Sequence, residues 1–184
     1  MEQIKRWKLD FKIMIMKTSF LFILVSFLNL QTSVAQSFET DTQAQNNIQK
    51  LEFLVGKWEG EGWRILQDGT KHTFSQSENV QFKLDSTALL IEGKGMANNK
   101  VIHNAMAIIT SNKEPGKYEF QSFLQNGMKG SFKAEIKHET FYWYPNENVR
   151  YIIYINDKGE WYEKGEYNRQ DNWVQFFEMT LTKS

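Results

Sequence analysis

From Lys57 to the end of the chain, runs rich in Val, Ile, Tyr, Phe and Trp recur at intervals of about 10 residues, each bounded by a short turn signal. Asp68-Gly69, Asn126-Gly127 and Asp157-Lys158-Gly159 supply the residues that accept positive φ in hairpins, and 112–116 and 168–172 read as longer links of the same kind. No connection is long enough to carry a crossover helix, so successive strands must run antiparallel. The spacing predicts ten strands, near 57–66, 71–84, 88–94, 101–110, 117–124, 128–136, 140–145, 149–155, 160–167 and 173–182. Such a meander removes its free edges by closing, and ten strands enclose more space than side chains alone can fill. The expected fold is therefore all-β, a ten-stranded antiparallel up-and-down barrel with an internal cavity.

The segment ahead of the strands divides in two. Residues 36–47 are polar without apolar periodicity and read as a flexible lead into a barrel domain over 48–184. Asn47 is placed to cap a short helix through Ile48, Leu51, Phe53, Leu54 and Val55, which Gly56 would stop. That helix would close one end of the barrel.

Residues 1–35 read as a targeting segment. Lys5, Arg6, Lys8, Lys12 and Lys17 precede an apolar run from Phe20 to Leu28, and Ser33-Val34-Ala35 supplies small residues before Gln36. This order is that of a secretory signal peptide cleaved after Ala35, and the run is about half the length a spanning helix needs. The expectation is an exported domain, periplasmic or secreted, soluble and without stable membrane insertion after cleavage. The chain contains no cysteine, which excludes disulfides, thiolate metal sites and cysteine nucleophiles, so the core alone must hold the domain. Beyond Ala35 there are 17 basic and 20 acidic residues, a net charge of −3, with no Lys/Arg block. That argues against nucleic acid or a polybasic membrane patch, and the expected partner is a small hydrophobic or amphipathic molecule.

Alternation along the predicted strands nominates the residues facing it. On the second strand His72, Phe74, Gln76, Glu78, Val80, Phe82 and Leu84 share a face, and the other face is polar throughout, so the aromatic face turns inward and carries three polar groups with it. Buried there, Glu78 would have a raised pKa and could orient a ligand's polar head, act with His72 as an acid/base pair, or meet an inward arginine in a structural pair. The first strand puts Trp58, Gly60, Gly62 and Arg64 on one face, where two glycines open space or ease coiling, and Glu59 and Glu61 on the exposed one. Tyr118 and Phe120 share a face, as do Phe141 and Trp143, Trp161 and Tyr167, and Trp173, Phe177, Met179 and Leu181. The ligand-facing set expected from these patterns is Trp58, His72, Phe74, Gln76, Glu78, Phe82, His103, Phe120, Arg150 and Phe177. No catalytic residue and no metal ligand is assigned, because no nucleophile elbow, phosphate-binding glycine loop, His-Glu-x-x-His or EF-hand loop is present.

Leu51 to Trp63 and Trp173 to Leu181 resemble segments of an exported bacterial lipocalin-like family of unknown function, related in pattern to the nitrobindin haem barrels; the likeness covers about residues 48–183. Gly56-Lys57-Trp58 is similar to the Gly-x-Trp signature of lipocalins, whose tryptophan packs at the closed end of the barrel near an arginine. The resemblance implies Arg150 or Arg169 as that partner. It also raises haem, which nitrobindins hold through a histidine near the end of the barrel, but here no histidine follows His138. His72 and His103 remain; His103 shares its face with Ala105 and Ala107, and the plain reading of it is a solvent-facing or locally satisfied imidazole. No cofactor is predicted, and haem stands as the alternative. The function expected is non-covalent binding of a small molecule in the barrel, with an enzyme acting on that molecule as the other reading.

Overall fold

The structure, a computed structural model, describes residues 38–184. The expected leader and its cleavage at Ala35 lie outside the described residues. Among the described residues ten strands follow one helix: α1 (Thr42–Gln49), a 3-10 turn (Glu52–Leu54), β1 (Gly56–Ile65), β2 (Lys71–Lys83), β3 (Ala88–Ala97), β4 (Lys100–Ser111), β5 (Lys117–Leu124), β6 (Lys129–Lys137), β7 (Thr140–Asn146), β8 (Val149–Ile155), β9 (Trp161–Arg169) and β10 (Asn172–Lys183). Every strand pairs antiparallel with its sequence neighbours, and β1 pairs with β10 from Trp58↔Lys183 to Arg64↔Phe177, which closes the barrel. All ten expected strands are present. Among the described residues no helix is long and apolar enough to cross a membrane.

Turn chemistry sets the register. Leu66/Thr70, Leu124/Met128 and Asn156/Glu160 close three-residue loops whose last residue, Gly69, Gly127 or Gly159, sits at φ near 80°. Asn98-Asn99, His138-Glu139 and Gln170-Asp171 form two-residue turns with both residues at positive φ, without glycine. The last of these corrects the long link expected over 168–172: β9 and β10 run on to a tight turn. His138 is a turn-tip residue.

The helix starts earlier than its apolar residues suggest. Asp41, not Asn47, is the N-cap, accepting from the backbone N–H of Gln43 and Ala44 at 3.0 Å. Asn47 lies in the last turn, buried, where its amide donates to Ser111 Oγ at 2.9 Å. The polar composition of Thr42–Gln49 reflects a mostly exposed helix that anchors through its end, and hides it from a search for apolar periodicity.

One end of the barrel is filled. Ile48, Leu51 and Leu54 are fully buried in one core with Trp58, Leu89, Ile109, Tyr118, Phe141, Trp161 and Leu181. Tyr118 Oη donates to the Asn47 carbonyl and Trp58 Nε1 to the Leu54 carbonyl, each at 2.9 Å, so the chain entering β1 is tied to the barrel by buried hydrogen bonds. Lys183, not Arg150 or Arg169, supplies the cation beside Trp58, with Nζ 5.1 Å from the ring centre.

Candidate functional site

Above that core the interior opens into a cavity of about 630 Å³. Its walls come from the stretches of strand beyond the packed end, where glycines admit the close approach of neighbouring backbone and side chains. On β1 the inward positions after Trp58 are Gly60 and Gly62; a Cβ on Gly60 would lie 2.2 Å from the Thr180 carbonyl oxygen, and one on Gly62 would lie 2.6 Å from the Phe74 ring. On β3, Gly93 and Gly95 stand opposite Glu78 and Gln76 and leave space for their side chains.

A continuous aromatic surface runs around one side. Phe120 stacks on Trp143 at 4.6 Å, and Trp143 on Tyr151 at 4.4 Å with the rings 5° from parallel. Tyr151 meets the edge of Phe177 at 5.6 Å, and Phe177 stacks on Phe74 at 5.7 Å. Five strands thus contribute one ring each to a connected wall with flat apolar faces.

Two irregularities in pairing add side chains that strict alternation would send outward. A bulge between Gln175 and Phe177 turns both Phe176 and Phe177 into the cavity and moves Trp173 to the outer surface, separating it from Phe177, Met179 and Leu181. A shift at Gly95/Met96 does the same for Ile102 and His103 on β4.

Polar groups are few and lie at two levels. Toward the closed end are Gln76 and Glu78 on β2 and Glu163 on β9. Gln76 Nε2 donates to Glu78 Oε1 at 2.6 Å, whereas the buried Glu78 Oε2 has no partner. Glu163 receives only the Trp161 indole N–H, at 3.3 Å. Burial raises the pKa of Glu78 to about 7 against the lowering effect of Gln76. Burial and then the neighbouring Glu78 charge raise Glu163 to about 8. The two carboxyls titrate as a pair, both raised well above the ordinary glutamate value. Toward the open end stand Arg64, His103 and Tyr151. Partial burial and then the Arg64 charge hold His103 below the ordinary imidazole value, and burial raises the Tyr151 phenol.

Of the residues expected to face a ligand, Phe74, Gln76, Glu78, His103, Phe120 and Phe177 line the cavity and four do not. Trp58 lies in the packed end, edge-on to Trp161 at 5.9 Å. β2 is 13 residues long and spans the whole wall, so Phe82 belongs to the packed end, while His72 is exposed at the other extremity. Arg150 faces outward: its guanidinium lies 4.0 Å from the Trp173 ring centre and its Nη2 is 2.7 Å from Glu166 Oε2. Sequence reasoning missed Glu163, although period two from the inward Trp161 leads to it in one step.

The donor set fits a haem iron poorly. His103 is the one imidazole lining the cavity among the described residues, at its mouth beside Arg64, and the deep polar groups are two carboxyls and the Gln76 amide. Among the described residues no cluster of three or more His, Asp or Glu could hold a metal ion.

A closed ten-stranded up-and-down barrel, packed at one end and hollow at the other, has a lipocalin-like fold. No protein-family model matches the chain, and no curated protein sequence does. Solved structures share the fold. Rv2717c from M. tuberculosis superposes with a TM-score of 0.58 at 12% identity, over 75% of this chain and 97% of that one. The S-type phycobiliprotein lyase CPES from Guillardia theta does so with a TM-score of 0.54 at 9% identity, over 80% of this chain and 98% of that one.

Proposed function

We propose that the protein binds a small, largely apolar or amphipathic molecule non-covalently inside the barrel. The observation that carries this reading is the cavity itself: about 630 Å³, walled mainly by aromatic and aliphatic side chains with a few convergent polar groups. Ligand sites occupy about 300–1,000 Å³ and have this composition. The stacked rings of Phe120, Trp143 and Tyr151 offer a preformed face, so little side-chain ordering is needed on binding.

The acid/base pairing of His72 with Glu78 receives no support. The two are six residues apart on one strand, about 20 Å at the usual rise, and only Glu78 faces the interior. Export belongs to the same proposal, on the basic, apolar, small-residue order of residues 1–35, and N-terminal sequencing of the protein from its host tests it by a start at Gln36.

The binding reading is tested by titrating the purified protein with n-decanol and following the fluorescence of the wall tryptophans Trp143 and Trp161 together with the absorption spectrum. A saturable one-to-one change is expected. No saturable change with decanol, its amine or its acid would overturn the reading, and a Soret band in the purified protein would replace it with haem.

A further inference from the structure

Glu78 and Glu163 differ from the other buried glutamates of this molecule. Glu135 is held by Lys117, Lys137 and Tyr144, and Glu166 by Arg150 and Lys164. Where a glutamate is buried in the barrel wall, a cation covers it. The two carboxyls in the cavity have none, although each is only 8% exposed. Glu78 keeps one buried oxygen without any partner, and Glu163 has a single long contact from an indole. Leaving such groups uncompensated costs free energy, so their retention at the bottom of a ligand-sized space calls for a partner that arrives from outside.

Resting on the binding reading above, we infer that the floor of the cavity is a receptor for a protonated amine. The ligand is an amphipathic molecule whose ammonium group seats between Glu78 and Glu163 and whose apolar body lies along Phe74, Phe120, Trp143 and Phe177. An ammonium carries three donors and no acceptor, which matches an unpartnered carboxylate oxygen on one side and an under-bonded carboxylate on the other. A carboxylate head would meet two acidic groups, and a hydroxyl would satisfy the free oxygen without any gain in charge.

The five titratable or charged groups that face this space are Arg64 on β1, Glu78 on β2, His103 on β4, Tyr151 on β8 and Glu163 on β9. Arg64 stands toward the mouth, where its charge acts on His103 and Tyr151, so a cation is favoured at the floor and disfavoured at the rim. Seating the ammonium there favours the ionised carboxyls, and the proton they held passes to the buffer. Uptake of an amine by this protein is thus coupled to proton release near neutral pH.

The test is isothermal titration calorimetry of the intact domain with n-decylamine, n-decanol and n-decanoate, each below its micelle concentration, at about pH 7 in buffers of different ionisation enthalpy. Wild type is expected to bind decylamine about tenfold or more tightly than decanol, with decanoate weakest. The decylamine enthalpy alone should vary with the buffer, as proton release requires. Glu78→Gln/Glu163→Gln should lose both the preference for decylamine over decanol and the buffer dependence. If that variant does not fold, the wild-type buffer dependence and the single Glu163→Gln variant carry the test. Equal affinity of wild type for decanol and decylamine, or an amine preference that survives both substitutions, would overturn the inference and leave the binding reading intact. Failure of all three probes to bind would remove both.

Discussion

Gly93 on β3 is paired with Glu78 on β2, and a Cβ at Gly93 would lie 2.7 Å from both carboxylate oxygens. The space that holds the acid is the side chain that its neighbour lacks. Two pairs nearer the mouth, Gly95 stands in the same relation to Gln76, with a would-be Cβ 2.6 Å from the amide oxygen.

Gly93→Ala should therefore destabilise the domain by about 1–3 kcal/mol, the usual cost of overpacking, by displacing Glu78. In a Glu78→Ala background the same substitution should cost markedly less. A double-mutant cycle from urea melts reads the coupling, and additive effects would show that the two residues do not share this space.

Stability should fall as pH rises through neutrality. In the unfolded chain both cavity glutamates ionise near the ordinary 4.5, whereas folded they keep their protons to about 7 and about 8. Over that window the folded state binds more protons, so the stabilisation is fully present below about pH 4.5 and is lost by about pH 8, a change on the order of a few kcal/mol. Glu135 acts in the opposite sense. Burial would raise it, but hydrogen bonds from Lys117, Lys137 and Tyr144 bring it to about 2, so its contribution is present above the ordinary value and lost as pH falls toward about 2. Differential scanning calorimetry across pH should show a Tm that declines from about pH 5 to 8. Glu163→Gln should flatten that decline, and an unchanged slope would argue against protonated carboxyls in the cavity.

Trp58→Phe keeps an aromatic ring in the packed end but removes the indole N–H that the Leu54 carbonyl accepts. The orphaned buried carbonyl should cost about 1–3 kcal/mol. The loss should appear as a lower urea midpoint without a change in the affinity for decanol, since Trp58 lies beneath the cavity and does not line it.

Arg150→Gln and His72→Gln should leave decanol binding unchanged, because both residues stand off the cavity. Phe177→Asp places a charge in the aromatic wall between Phe74 and Tyr151 and should abolish binding. Fluorescence titration of the three variants reads all of these outcomes at once. Loss of binding in Arg150→Gln would move the site to the outer face.

The architecture was legible because strand alternation and turn residues are local signals: Phe74, Gln76 and Glu78 could be placed inside from one strand read alone. What alternation could not supply was where along a wall the cavity begins and ends. His72 and Phe82 share a face with Glu78 and fall off opposite ends of the site, because depth depends on how far each strand is covered by its neighbours. Alternation also fails at bulges: it groups Trp173 with Phe177, although the two lie on opposite faces. The resemblance implies Arg150 or Arg169 beside Trp58, and this chain puts Lys183 there instead. The cap at Asp41 is a local signal too, but no apolar stripe follows it to mark the helix it starts.

The pairing of Trp58 with Lys183 joins positions near the two extremes of the domain. During synthesis β1 must wait as an open edge until the last strand has left the ribosome, and no partial product can enclose a ligand. On the binding reading, loading would wait for the finished chain, because the seam that joins the two ends of the sequence is also the one that turns a curled sheet into a closed barrel.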